Sequence, residues 1–94
     1  MKEASKIFGA LGDPTRLGII ALLLGGEKCV CEIFPRVKRA QPTVSLQLSK
    51  LESWGIISSR RNGKNILYKI RDRRISRMCA IAGIRETRAK KEKC

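Results

Sequence analysis

Apolar residues recur at helical spacing along most of this chain and change to alternation over one stretch after Gly55. Ala4, Ile7, Phe8 and Leu11 fall at i, i+3, i+4 and i+7, which predicts a helix over about Lys2 to Leu11, with Gly12 as its C-terminal cap. Asp13 and Pro14 open the next helix, the acid as N-cap and the proline at the first position; Leu17, Ile20, Ala21 and Leu24 carry it to Gly25 and Gly26. A third, short helix is expected from near Cys31 to the basic link "VKRA", with Pro35 close to its first turn, where a missing amide hydrogen matters least. The fourth runs from Gln41 or Pro42 to Ser53, with Val44, Leu48 and Leu51 as its inward stripe and Gly55 closing it. Then "GIISSRRNGKNILYKIRD" presents two β-prone runs around Asn62-Gly63, a favoured two-residue hairpin turn because both residues tolerate positive φ. Arg60, Arg61 and Lys64 surround its tip. Asp72 caps a last helix with Ile75, Met78, Cys79 and Ala82 on one face, and the charged end "RETRAKKEKC", 85–94, is expected to fray.

Length and charge sharpen this outline. Ninety-four residues make one domain, 1–94, small enough that hiding a face by dimerisation would help it. Hydrophobic residues make up 43% and aromatics only 4%, so the core is aliphatic. Lys and Arg number 21 against 8 Asp and Glu, and a net charge of +13 at this length calls for a polyanion, nucleic acid before a membrane surface. No apolar run approaches the ~20 residues of a membrane helix, the longest being "LGIIALLL", and "MKEASKIF" lacks the features of a signal peptide. A cytoplasmic protein with no membrane partner is expected. There, thiols are normally reduced, so the four cysteines read as ligands, redox switches or small buried hydrophobes. With no histidine anywhere, His-based zinc sites and His-dependent catalysis are excluded.

Two helices joined by a short turn and followed by a basic hairpin make a winged helix-turn-helix, mainly α with a β-hairpin wing, whose second helix enters the major groove. The inward stripe of the fourth helix leaves Pro42, Thr43, Ser45, Leu46, Ser49 and Lys50 outward, with Gln41 and Gln47 on the flanks. Gln41, Thr43, Ser45 and Gln47 are the candidate groove contacts, since amides read adenine and hydroxyls suit base edges or phosphates. Lys50, Arg60, Arg61 and Lys64 are the candidate phosphate contacts. Leu46 lies in the middle of the exposed face, within reach of a thymine methyl, although lone exposed leucines are ordinary.

Cys29 and Cys31, in "EKCVCEIF", stand at the start of the third helix. Residues two apart sit about 200° apart on an ideal helix, so a continuous helix would aim the sulfurs at opposite sides. If Cys29 is still extended and Cys31 is at the cap or first turn, both can face one way, and the helix dipole favours their thiolates. Such a pair selects soft, thiophilic species but is incomplete for arsenite or antimonite, which favour three sulfurs, and for zinc or cadmium, which favour four ligands. Cys94 on the terminal tail is the candidate third donor, from its own or a partner subunit; water or a small thiol would also serve. Cys79 reads as a buried hydrophobe. Oxidation of the pair to a disulfide is the competing reading.

"LGDPTRLGIIALLL", "EKCVCEIF" and "QPTVSLQLSKLESWGIISSRRNGKNILYKI" together resemble the ArsR/SmtB family of dimeric winged-helix metalloregulatory repressors, over about residues 4 to 72. The "CVCE" run is similar to the arsenite and cadmium branch, and the resemblance puts the inducer-binding role on Cys29 and Cys31. Arsenite sensors of that type commonly carry a third cysteine three residues later, where this chain has Phe34. Cadmium sensors add cysteines ahead of the first helix, and none precedes Cys29 here. The family's C-terminal-helix zinc site needs histidines that are missing. Leu46 replaces the polar or basic residue usual at its position. The resemblance implies a homodimer held by the first and last helices. It would repress an inverted-repeat operator and release it when an inducer, As(III) or Sb(III) first or else a soft divalent ion, binds the cysteine pair, with no constitutive cofactor. A redox-sensing repressor, a small thiol-disulfide oxidoreductase and a nucleic-acid module indifferent to its cysteines are the rivals.

Overall fold

The second helix has no polar face. In the computed structural model, which describes residues 2–85, it runs as α2 over Pro14–Leu23, and Ile19, Ile20, Ala21, Leu22 and Leu23 are all buried. The single stripe expected from the sequence is therefore too narrow: Leu17 and Leu24 are only half-buried, while Ile19, Leu22 and Leu23 join the core. A helix apolar on every side must be surrounded. Around it the chain places α1 (Lys2–Leu11), β1 (Lys28–Cys29), α3 (Val30–Arg36), α4 (Gln41–Ser53), β2 (Ile57–Asn62), β3 (Asn65–Ile70) and α5 (Arg73–Ile81). The core takes Ile7 from α1, Ile33 from α3, the expected Val44, Leu48 and Leu51 from α4, Ile57 from β2, and Ile75 and Cys79 from α5.

The caps explain where the helices stop and start. The Asp13 carboxylate accepts from the Arg16 N–H at 3.0 Å and Asp72 accepts from the Arg74 N–H at 3.0 Å, each satisfying an amide with no partner inside its helix. At the end of α4, Gly55 has φ +75°, its N–H reaches the Glu52 carbonyl at 3.0 Å, and the Ile56 N–H reaches the Leu51 carbonyl at 3.1 Å. This is a Schellman closure, available to glycine because it lacks a Cβ. Buried Ile56 then starts the chain back towards the sheet.

Three features differ from expectation. The sheet has three antiparallel strands in the order β1-β3-β2, because the short segment Lys28–Cys29 pairs with Tyr68 and Leu67 beside the hairpin. The hairpin turn is Gly63-Lys64 rather than Asn62-Gly63, since Asn62 pairs with Asn65. Gly63 has φ +64° and Lys64 does not have positive φ, the pattern of a type II′ turn, which needs glycine only at its first central position. Pro35 is in the last turn of α3, not near its first. Cys29 caps the helix a step earlier than anticipated, so the proline falls just before Arg36 and the helix ends at once.

Arg16 ties the layers together. Its guanidinium donates to the carbonyls of Gly9 at 2.9 Å and Ala10 at 3.3 Å in the last turn of α1 and to Gln47 Oε1 at 2.9 Å on α4, and lies 5.4 Å from the Trp54 ring centroid. Arg74 likewise joins Asp72 at 2.7 Å and Glu3 at 2.6 Å, holding the start of α5 to α1.

The backbone N–H of Arg16 holds the Asp13 carboxyl below its ordinary value, and the Arg74 side chain does the same for Asp72. A carboxyl whose folded value is depressed adds stability above its unfolded value, ~3.9, and that contribution fades as pH falls through the folded value. Thermal melts between pH 6 and pH 2 are therefore expected to lose midpoint temperature below about pH 4. The double change Asp13→Asn with Asp72→Asn is expected to start lower and to fall less over that interval.

Candidate nucleic-acid interface and thiol site

Cys29 is extended, with φ −69° and ψ 146°, because it ends β1 opposite Leu67. The same conformation makes it the N-cap of α3. Its sulfur accepts from the Cys31 N–H at 3.3 Å, while its own N–H donates to the Glu32 carboxylate at 3.3 Å, a reciprocal capping box with sulfur in the usual place of a hydroxyl. Cys31 follows in the first turn, half-buried, and Cys29 is 1% exposed. The extended cap turns both sulfurs to one side, as the sequence required for a shared function. Both cysteines are disulfide-bonded, and since Cys79 is a free thiol the pairing that satisfies both is Cys29 with Cys31.

The other thiols separate clearly. Cys79 belongs to the core, and burial pushes its thiol up from the ordinary value. Cys94, the candidate third donor, lies outside the described residues, as does most of the 85–94 tail. Among the described residues, no group of three or more Cys, Asp or Glu side chains is placed to hold a metal ion.

On α4, Gln41, Thr43, Ser45 and Lys50 are exposed together on the outward side. Gln47 is not with them: it is half-buried and its carbonyl oxygen is taken by Arg16. On the wing, Arg61 and the turn residue Lys64 are exposed. Arg60 makes a two-pronged contact with Glu27, Nε to Oε2 at 2.9 Å and Nη2 to Oε1 at 2.8 Å. That pair holds the Glu27 carboxyl low and the Arg60 guanidinium high. Sequence reasoning missed Glu27 and Arg16, because each acts on a residue more than 30 positions away, 33 for Arg60 and 31 for Gln47. Lys38 and Arg39, from the basic link, are exposed in the turn between α3 and α4, beside the interface; Arg39 donates to the Thr15 hydroxyl at 3.2 Å.

Opposite this side, Phe8 (65% exposed) and Ile81 (88% exposed) stand with Leu11, Leu17, Met78 and Ile84 along an apolar groove of about 460 Å³ between α1 and α5. Large exposed apolar groups gathered in one place mark an interface. Among the described residues, no helix is long and apolar enough to cross a membrane.

An α3–turn–α4 pair buttressed by α2, with a basic hairpin alongside, defines a winged helix-turn-helix DNA-binding protein. Comparison with known proteins makes this specific: residues 13–59 match the family model "Bacterial regulatory protein, arsR family", and the chain belongs to that family of transcriptional regulators. It is 44% identical over 75 residues to an uncharacterised HTH-type transcriptional regulator of Methanocaldococcus jannaschii, spanning 79% of this chain and 84% of that one. It is 37% identical over 78 residues to a probable mercury resistance operon repressor of Streptomyces lividans, spanning 83% of this chain and 62% of that one. The crystal structure of the transcriptional repressor BigR from Xylella fastidiosa superposes with a TM-score of 0.80 at 31% identity, over 85% of this chain and 82% of that one. A homodimeric winged helix-turn-helix DNA-binding domain from Mycobacterium bovis superposes with a TM-score of 0.78 at 29% identity, over 88% and 77%. The family regulates transcription, and its members are not enzymes.

Alkylation with a maleimide, read by peptide mass spectrometry, checks the thiol assignments. After reduction, Cys31 is expected to label first, Cys29 more slowly, and Cys79 only on unfolding. Rapid labelling of Cys79 in the folded protein would contradict its burial.

Proposed function

We propose that this protein is a homodimeric repressor that leaves its operator when a thiophilic metal or metalloid, arsenite as first choice, is captured by Cys29 and Cys31. The observation that carries the reading is the double placement of Cys29. It caps the first helix of the DNA-binding pair and is also hydrogen-bonded through β1 to the wing. An ion drawing on both sulfurs competes with the Cys31 N–H for Cys29, so capture loosens the start of α3 and the edge of the sheet together. Paired α4 helices then lose the spacing that an inverted repeat demands. A coupling of ~1–3 kcal/mol between the two sites is enough, provided the ion binds the released state more tightly.

In the bound state, Gln41, Thr43, Ser45 and Gln47 work in the groove, and Lys50, Arg60, Arg61 and Lys64 meet phosphates. Gln47 and Arg60 must first exchange Arg16 and Glu27 for DNA. The apolar groove of α1 and α5 pairs two copies, in keeping with the homodimeric M. bovis domain. A mercury-resistance relative supports a soft inducer. Arsenite needs a third donor beyond the pair, which Cys94, water or a small thiol supplies.

The disulfide between Cys29 and Cys31 supports a second reading, in which oxidation itself is the signal. Forming that bond consumes two thiols and yields two electrons and two protons to an oxidant such as a peroxide. It would change the same cap and the same strand edge.

One titration separates these readings: fluorescence anisotropy of reduced protein on its own promoter DNA at fixed salt, with arsenite and then with hydrogen peroxide. Release by one or two arsenite ions per dimer, abolished by Cys29→Ser with Cys31→Ser, is the expected result. Release by peroxide alone would replace the metalloid by an oxidant, and indifference to both would leave a repressor without a thiol switch.

The Glu27–Arg60 pair generates a further expectation. Glu27→Gln frees Arg60 for phosphate, so DNA affinity at low salt is expected to rise several-fold. The slope of log affinity against log salt should steepen by about 0.9 for each additional phosphate that a protomer neutralises. An unchanged slope would place Arg60 away from the DNA.

A further inference from the structure

The outward side of α4 holds one large apolar side chain. At about 100° per residue, Leu46 lies about 190° from the mean direction of Val44, Leu48 and Leu51, at the apex of the exposed face. Its neighbours at i±3 and i±4, Pro42, Thr43, Ser49 and Lys50, are all exposed, and none is a large hydrophobe. Leu46 itself is 53% exposed. The other large exposed hydrophobics, Phe8 and Ile81, share the apolar groove of α1 and α5, so a partner surface accounts for them. No apolar patch accounts for Leu46.

Placed at the apex of a groove-reading helix, Leu46 is the side chain that goes deepest. Leucine brings no hydrogen bond, so opposite a guanine, adenine or cytosine edge it would strip water from donors and acceptors and give nothing back. The major groove displays one apolar group, the C5-methyl of thymine. We propose that Leu46 is a specificity-determining residue that packs on the C5-methyl of a thymine in each operator half-site. This rests on the reading of α4 as the groove helix. Thr43, one turn earlier, and Lys50, one turn later, flank the contact on the same side of the helix.

The test removes the methyl and nothing else. A duplex is selected from a random library with the wild-type dimer, and each thymine is then replaced by uracil, for wild type and for Leu46→Ala. Because Leu46 lies outside the core, the variant is expected to keep its melting temperature. Burying one methyl is worth about fourfold in affinity, so wild type is expected to lose about fourfold at one thymine per half-site and roughly fifteenfold when both are changed. Leu46→Ala should bind the thymine duplex more weakly and should not distinguish it from the uracil duplex. Wild-type affinity unchanged within about twofold at every uracil would overturn the assignment, as would full methyl dependence in Leu46→Ala. If wild type selects no duplex at all, the groove role of α4 falls with it.

Discussion

The conformation of one residue, Cys29, joins the sensing and reading parts of this molecule. A residue that ends a strand must be extended, and a residue that caps a helix must also be extended, so one backbone geometry serves both elements without a connecting loop. With no slack between β1 and α3, a change at the Cys29 sulfur reaches the helix through its cap and the wing through its ladder. A serine there would cap as well or better; sulfur adds affinity for soft ions and the ability to form a disulfide with Cys31.

A chain this small can maintain such a junction only if the remainder is firmly held. α2 supplies that hold by being apolar on all sides, so that α1, α4 and the sheet each find an aliphatic surface to cover. Arg16 works at the point where hydrophobic contact alone would leave α1 free to slide. Carbonyls in the last turn of a helix have no partner within it, and a guanidinium fork satisfies two of them while reaching α4 with its third arm. The Gln47 amide is thereby an element of the scaffold and, at the same time, a flank of the reading helix. Affinity for DNA and the position of α1 are linked through it.

Most of the architecture was legible in the sequence because it is written in local signals. Asp13-Pro14 and Asp72 start helices where capping requires, Gly55 ends one, and Val44, Leu48 and Leu51 are at helical spacing on the buried side. The pieces that escaped are those whose cause lies far along the chain. β1 is only two residues long and exists because β3 offers it an edge, so no periodicity announces it. The shift of Pro35 to the last turn of α3 follows from that strand, since Cys29 caps the helix as soon as the strand ends. In the hairpin, Asn62 and Gly63 both tolerate positive φ, and the choice of turn was made by the register of Ile57 with Ile70 at the other end. The cysteine pair was visible as spacing, whereas its partners, Glu32 excepted, come from the wing. Glu27 and Arg16 carry no local signature at all.

The distribution of charge leads back to the same thiol. With a net charge of +13, the isolated molecule repels itself, and cations that find an acid partner within the fold relieve that repulsion. Arg74 is bound twice, to Asp72 and Glu3, at the end away from the reading helix, and serves the scaffold alone. Arg60 is different: it sits on the wing and is held by a carboxylate two residues ahead of Cys29. Exposed ion pairs are weak enough for a phosphate to displace the acid, yet specific enough to position the guanidinium in the unbound protein. In the state released from DNA, Glu27 therefore stands ready to take back the arginine. Its position beside the strand that carries the sensing thiol means that any displacement of β1 also changes where that acid is offered. The wing is thus held to the thiol site by two unlike links, a backbone ladder and a side-chain fork, and both begin within three residues of the same sulfur.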